Sequence, residues 1–99
     1  MSWNTTDRQT SSNISATTAG FTLLGGRYAV EIVATWGGGS VALQRLSNDG
    51  STYVQVTSYS ANIYDSPIDL PNGTYRWAVT TATAVYAEII SVVVIGPGS

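Results

Sequence analysis

From Phe21 onward, hydrophobic and polar residues alternate along the chain with a period of two. The clearest run is 28–36, where one face is apolar and the other is mixed. A β-strand points successive side chains to opposite faces, so a strand with one buried face produces this alternation. The pattern recurs around Val41, Tyr75 and Val85. It predicts a core that contains Tyr28, Val30, Ile32, Leu43, Trp77, Val79, Val85 and Ile89.

Clusters of Gly, Asn and Pro separate these runs at 25–26, 37–39, 48–50 and 71–73. Glycine and asparagine tolerate the positive φ angles that tight hairpins require. Short strands separated by turn signals at roughly 8–12-residue spacing are typical of all-β sandwiches and barrels. The sequence therefore predicts one antiparallel β-sandwich of about seven or eight strands, either a jelly roll or an immunoglobulin-like fold.

Residues 78–90 fit two descriptions, because several of their apolar side chains would also share one face of a helix. Seven of these thirteen residues are β-branched, and no convincing helix cap precedes them. We expect a strand, a turn around 81–84, and a second strand.

The first twenty residues are rich in Ser, Thr and Asn and have no clear hydrophobic period. This composition predicts an extended N-terminal arm over residues 1–20, followed by the sandwich domain over residues 21–99. Trp3 lies in the arm, where a lone aromatic side chain would be exposed unless a neighbouring molecule covered it. We expect the arm to become ordered only against a neighbour, with Trp3 as its anchor in an intermolecular contact.

The composition removes most catalytic chemistry, since the chain has no histidine, cysteine or lysine and only ten charged residues. Triad nucleophiles, Schiff bases, thiolate sites and most zinc sites need those side chains. We expect no enzymatic activity, no cofactor and no metal. A net charge of −2 also argues against nucleic acid as a partner, because a binder of nucleic acid needs a basic surface.

Two acidic motifs have simple structural interpretations. Asp49 precedes Gly50 in a turn sequence and is expected to accept hydrogen bonds from nearby backbone amides. Asp65 and Asp69 place two carboxylates four residues apart, but the spacing of a calcium-binding loop is absent. We expect a solvated loop there.

The arginines and tryptophans also have structural interpretations. Arg27 and Arg76 are expected to form ion pairs with Glu31, Asp69 or Glu88, because a planar guanidinium suits a carboxylate. Trp36 and Trp77 share the phase of apolar neighbours and are expected in the core. The alternative is that exposed Trp and Tyr side chains form a protein interface or a platform for stacking sugars.

The segment from Val85 to Val94 is apolar on both faces, which is more apolar surface than one small sandwich needs. An exposed apolar strip of this kind usually marks an interface. We therefore predict that Tyr86, Val92 and Val94 contribute to an intermolecular contact and that the protein is a homo-oligomer. The stretch 84–95 is too short to span a bilayer, so we expect no membrane partner. The N-terminus shows no secretory signal, so synthesis in a cytoplasm is expected.

Several motifs together resemble the small β-sandwich virion proteins of tailed bacteriophages. They are Gly25-Gly-Arg-Tyr-Ala-Val, Gly38-Gly-Ser-Val-Ala-Leu-Gln-Arg-Leu, Asp49-Gly-Ser-Thr-Tyr-Val, Asp69-Leu-Pro-Asn-Gly-Thr-Tyr-Arg-Trp-Ala-Val and Ala84-Val-Tyr-Ala. The resemblance covers Phe21 to about Val94 and consists mainly of turns and strand patterns.

The resemblance implies a capsid decoration (cement) protein that binds outside the head and bridges subunits of the major capsid protein. It also implies a location on the virion exterior and favours a homotrimer. Two alternatives remain open, namely a tail or fibre component and a carbohydrate-binding module that uses surface aromatics.

Overall fold

The computed structural model describes residues 8–92, which fold into eight β-strands. In chain order they are β1 (Arg8–Ile14), β2 (Phe21–Leu23), β3 (Gly26–Thr35), β4 (Ser40–Leu46), β5 (Tyr53–Tyr59), β6 (Ile63–Leu70), β7 (Gly73–Thr80) and β8 (Thr83–Ser91).

The strands form two four-stranded sheets in which every neighbouring pair is antiparallel. Sheet A has the order β1-β8-β3-β6, and sheet B has the order β2-β7-β4-β5. The chain thus changes sheet at every connection except the one from β4 to β5. This order is that of an eight-stranded jelly roll, and it decides between the two predicted topologies. The predicted β-sandwich is confirmed.

The core lies between the two sheets and consists of the inward-facing side chains of the alternating strands. Trp77, Tyr28 and Tyr75 are its largest fully buried side chains, and Phe21 packs beside Trp77 with 6.4 Å between ring centroids. Seven of the eight predicted core residues are fully buried, and the eighth, Val79, packs against the cluster from its margin. The period-two pattern therefore identified the core correctly.

The N-terminal segment differs from the predicted arm, because residues from Arg8 onward belong to the sandwich. Strand β1 pairs with β8 from Arg8 opposite Ile90 to Ile14 opposite Val85. Beyond it, the backbone amide and the hydroxyl of Thr18 bond to the carbonyl and amide of Trp77, each at 3.0 Å. Backbone pairing to a sheet edge does not require apolar side chains, which explains why a polar sequence forms this strand. Residues 1–7, which include Trp3, lie outside the described residues.

The segment 78–90 folds as two strands with a tight turn, as predicted, rather than as a helix. Strand β7 ends at Thr80 and β8 begins at Thr83. Thr81 and Ala84 have positive φ angles of 65° and 50°, and the amide of Ala82 donates to the carbonyl of Thr80 at 2.7 Å. This turn lets β8 cross from sheet B to sheet A.

Candidate docking surface

The outward side of sheet A carries the most distinctive surface chemistry of the described residues. In β8, the buried residues Val85, Ala87 and Ile89 alternate with Tyr86, Glu88 and Ile90. Side chains directly opposite each other in paired strands lie on the same face of a sheet. The register therefore defines one surface, called here the outer A face, which consists of Arg8, Thr10, Ala29, Glu31, Val33, Tyr64, Tyr86, Glu88 and Ile90.

The apolar side chains of the outer A face are exposed, including two on the inner strands β8 and β3. Tyr86 lies opposite Val33, and these residues are 49% and 47% exposed. Tyr64, on the neighbouring strand β6, is 68% exposed. If another molecule covered the face, the apolar surface of each of these side chains would be removed from water.

The outer A face carries more negative than positive side chains. Glu31 and Glu88 lie directly opposite each other in β3 and β8, an arrangement that destabilises a sheet by like-charge repulsion. Arg8 neutralises one of them, since its Nε lies 2.6 Å from Oε2 of Glu88. The Glu31 carboxylate has no hydrogen bond or ion pair with any described residue. Its other cross-strand neighbour is Tyr64. The face therefore offers one free carboxylate among aromatic and aliphatic side chains.

The structure describes two of the four residues predicted from sequence to form an interface. Tyr86 lies on the outer A face, and Val92 is 36% exposed just beyond the end of β8. The amide of Val92 donates to the carbonyl of Arg27 at 2.7 Å, which extends the pairing of β8 with β3. Trp3 and Val94 lie outside the described residues.

The predicted ion pairs of the arginines form only in part. The Nε of Arg27 lies 3.2 Å from Oδ1 of Asp69, as one of the predicted pairings requires. Arg76 instead donates to Oε1 of Gln44 at 2.7 Å, and its guanidinium carbon lies 4.0 Å from the centre of the Tyr53 ring. These contacts depend on strand register, which hydrophobic periodicity does not reveal.

Arg45 makes contacts that the sequence pattern does not predict. Its Nη2 donates to the carbonyl of Asn72 at 2.8 Å, and its guanidinium carbon lies 6.0 Å from the centre of the Tyr75 ring. A side chain at Gly73 would collide with this guanidinium, since a Cβ there would lie 2.9 Å from Nε. No described carboxylate pairs with Arg45 or with Arg76.

The two tryptophans described by the structure have different environments. Trp77 is fully buried, as expected. Trp36 packs against the margin of the core, and its Nε1 donates to Oδ1 of Asn62 at 2.9 Å. Neither tryptophan belongs to the outer A face.

The acidic motifs have local partners. Asp49 accepts hydrogen bonds from the amides of Ser51 and Thr52 at 2.8 and 2.9 Å, as predicted, and these bonds lower the pKa of its carboxyl group. Asp65 and Asp69 lie in strand β6 and not in the predicted solvated loop, because their segment pairs with β3. Asp65 accepts from the hydroxyl of Tyr59 at 2.9 Å, while Asp69 pairs with Arg27. Within residues 8–92, no cluster of three or more acidic side chains is placed to hold a metal ion.

Comparison of the chain with protein-family models, with curated proteins and with solved structures finds no match. Over residues 8–92 the fold also includes no helix that is long and apolar enough to cross a membrane.

Proposed function

We propose that this protein is a structural component of a tailed-bacteriophage virion, specifically a capsid decoration (cement) protein on the outside of the head. The motif resemblance supports this proposal, and the jelly roll is a fold used by viral capsid and lectin domains. Because one fold serves many functions, we base this proposal on the chemistry of the surface. The observation that carries it is the outer A face, with its exposed Tyr86, Val33 and Tyr64 around an unpaired Glu31.

In this proposal the outer A face docks on the major capsid protein. Docking removes Tyr86 and Val33 from water and gives Glu31 a basic partner. Aromatic side chains in the middle of such a contact commonly supply most of its binding energy. A protein that bridges neighbouring capsid subunits in this way would resist the outward pressure of packaged DNA through buried surface alone. It would be made in the host cytoplasm, associate as a homotrimer and function without a cofactor.

The test is binding of purified protein to expanded, undecorated heads, measured by co-sedimentation over a concentration series. Tyr86→Asp and Val33→Asp are each expected to weaken binding at least about tenfold, since each places a charge in the contact. Thr22→Asp is the matched control, because Thr22 is exposed on the opposite sheet.

Circular dichroism and thermal melts establish that each variant keeps its fold. Tight binding by both folded outer-face variants would contradict this docking surface. Failure of the wild type to bind heads, with binding to purified tails, would favour the alternative of a tail or fibre component.

One observation favours a carbohydrate-binding module as a second candidate. Tyr64 and Tyr86 expose aromatic rings on the same face as the free Glu31 carboxylate, and sugars bind through ring stacking and hydrogen bonds to carboxylates. A glycan array separates the two candidates. Specific glycan binding that is lost in Tyr86→Ala and Tyr64→Ala would support the module.

A further inference from the structure

Glu31 is the one carboxylate of the described residues that has no partner. Residues 8–92 contain five carboxylates, and the other four each accept a hydrogen bond from an amide, a hydroxyl or an arginine. These four are Asp49, Asp65, Asp69 and Glu88. The register also places Glu31 directly opposite Glu88, where like charges repel each other. A cation bound at Glu31 would therefore satisfy this carboxylate and relieve the repulsion.

Glu31 lines a depression of about 170 Å³ in the outer A face. Six residues of that face are among those that line it, namely Arg8, Thr10, Glu31, Val33, Tyr86 and Glu88. One water molecule takes up roughly 30 Å³ of the liquid, so the depression has room for about five or six waters. This volume is enough for the end of one long side chain and too small for a strand or a helix.

The charges around the depression leave a place for one further cation. Glu31 and Glu88 contribute two negative charges, and Arg8 contributes one positive charge. The Arg8 guanidinium is already engaged, since its Nε lies 2.6 Å from Oε2 of Glu88. The other residues that line the depression are uncharged, so one negative charge remains, and it belongs to Glu31. A side chain with a single positive charge is the electrostatic complement of this site.

The aromatic wall of the depression favours arginine over lysine. Tyr86 lies opposite Val33, which is two residues along β3 from Glu31. Such diagonal neighbours in a sheet are about 7–8 Å apart, a separation that long side chains can bridge. A planar guanidinium can stack on an aromatic ring and also give a carboxylate two parallel hydrogen bonds. It is also more weakly hydrated than an ammonium group, so it loses less when Val33 and Tyr86 surround it.

The chain holds one of its own arginines in this way. Arg76 donates from Nε to Oε1 of Gln44 at 2.7 Å, and its guanidinium carbon lies 4.0 Å from the centre of the Tyr53 ring. A side-chain oxygen and a tyrosine ring thus hold a guanidinium on sheet B. Glu31 and Tyr86 offer the same two groups on sheet A, and no described arginine pairs with Glu31 or lies over the Tyr86 ring.

We propose that the depression is a binding site for a single arginine side chain of a partner protein. The guanidinium pairs with the Glu31 carboxylate and stacks on the Tyr86 ring, while Val33 contacts the aliphatic part of the side chain. This inference rests on the proposed function, since the arginine would belong to the partner that docks on the outer A face. It adds the chemical identity of the group that this face recognises.

The experiment uses the isolated protein and small probes, without capsids. Amide chemical shifts are followed by nuclear magnetic resonance during titration with N-acetyl-arginine-methylamide to tens of millimolar, at constant ionic strength. The matched probes are N-acetyl-lysine-methylamide, which has the same charge, and N-acetyl-citrulline-methylamide, which has a similar shape and no charge. The arginine probe is expected to give saturable shifts at residues 31–33 and 86–88. The lysine probe is expected to bind about threefold more weakly, because it lacks the stacking contact, and the citrulline probe is expected not to saturate.

Two variants assign the roles of the side chains. Glu31→Gln is expected to weaken binding of the arginine probe at least about threefold, as for the loss of an exposed ion pair. Tyr86→Leu keeps an apolar side chain without a ring, so it is expected to remove the difference between the arginine and lysine probes. Asp69→Asn is the matched control. It removes the same charge from the same sheet, but from a carboxylate that already pairs with Arg27, and it is expected to leave binding unchanged.

Three results would overturn the inference. They are equal binding of the arginine and lysine probes, shifts that do not map to the depression, and undiminished binding by Glu31→Gln. The spectrum of each free variant shows whether its fold is retained. The outcome is separable from that of the proposed function. Binding of the protein to heads without recognition of the arginine probe would overturn this inference alone, whereas recognition of the probe without binding to heads would contradict the capsid function alone.

Discussion

Tyr59 shows how one side chain connects the two sheets. Its ring is buried at the end of β5, and its hydroxyl donates to Asp65 of β6 at 2.9 Å. Burial and the neighbouring carboxylate raise the pKa of Tyr59 from 10.0 to about 12. The hydrogen bond therefore depends on the neutral phenol.

We predict that Tyr59→Phe lowers the free energy of unfolding by about 1 kcal/mol at pH 7, because Asp65 loses its donor. Since the folded-state pKa is raised, the contribution is fully present below pH 10.0 and is lost as pH rises toward about 12. Urea unfolding at pH 7, 10 and 11.5 measures this difference. The wild type is expected to lose stability over this range more steeply than Tyr59→Phe. Parallel pH profiles would show that Tyr59 is not the linked group.

Some residues of the outer A face could be predicted from the sequence, and others could not. The alternation placed Tyr86 and Val92 opposite the buried face of β8, and both are exposed. Glu31 could not be singled out in this way. The strand register sets Glu31 opposite Glu88 and Tyr64, and this places its carboxylate on the outer A face. Hydrophobic periodicity contains no information about register.

The β4–β5 hairpin is the element whose turn chemistry can be tested most directly. The Asp49 carboxylate accepts from two backbone amides and from the hydroxyl of Thr52 at 2.8 Å. The amide bonds, that of Ser51 first, hold the pKa of Asp49 below its ordinary value of 3.8. The charged form is thus the one that stabilises the turn.

We predict that Asp49→Ala lowers the melting temperature at pH 7 and that Asp49→Asn lowers it less, because the amide oxygen still accepts hydrogen bonds. A lowered folded-state pKa gives stability that is present above pH 3.8 and is lost as pH falls through the folded value. Melts from pH 2 to pH 7 are the measurement. The gap between wild type and Asp49→Ala is expected to narrow toward pH 2. A gap that is constant with pH would contradict the carboxylate's role.

The hydrophobic pattern predicts some strands of this fold and not others. Strands β3, β4, β7 and β8 follow from period two because each buries one apolar face. Strand β1 has the sequence Arg-Gln-Thr-Ser-Ser-Asn-Ile and is held mainly by backbone bonds to β8. Such bonds leave no hydrophobic signature, so the polar segment was predicted to be an arm. Strand pairing also distinguishes a jelly roll from an immunoglobulin-like fold, and the hydrophobic pattern does not reveal which strands pair.

For the molecule as a whole, the distribution of charge is uneven between the sheets. The strands of sheet A contain four carboxylates and two arginines, whereas the strands of sheet B contain two arginines and no carboxylate. The outer A face itself carries Glu31 and Glu88 against one arginine, Arg8, so a basic partner would be expected in the proposed contact. Such a partner would relieve the repulsion between Glu31 and Glu88.

We predict that Glu31→Gln has opposite effects on stability and on binding. It removes a like-charge pair from β3 and β8, so the free energy of unfolding is expected to rise by about 0.5 kcal/mol. Binding to heads is expected to weaken and to become less sensitive to salt, because one attractive charge is lost. Urea unfolding and co-sedimentation at two salt concentrations measure the two effects. Unchanged binding at both salt concentrations would contradict a role for Glu31 in the contact.

We propose that this jelly roll is a part of the virion head that functions by surface contact. The most direct measurement is the ratio of this chain to the major capsid protein, by quantitative mass spectrometry, in purified virions and in tail-less heads. For a head protein we expect a fixed ratio that is the same in both preparations. Absence of the chain from heads, or its presence only in particles that retain tails, would contradict a function in the head.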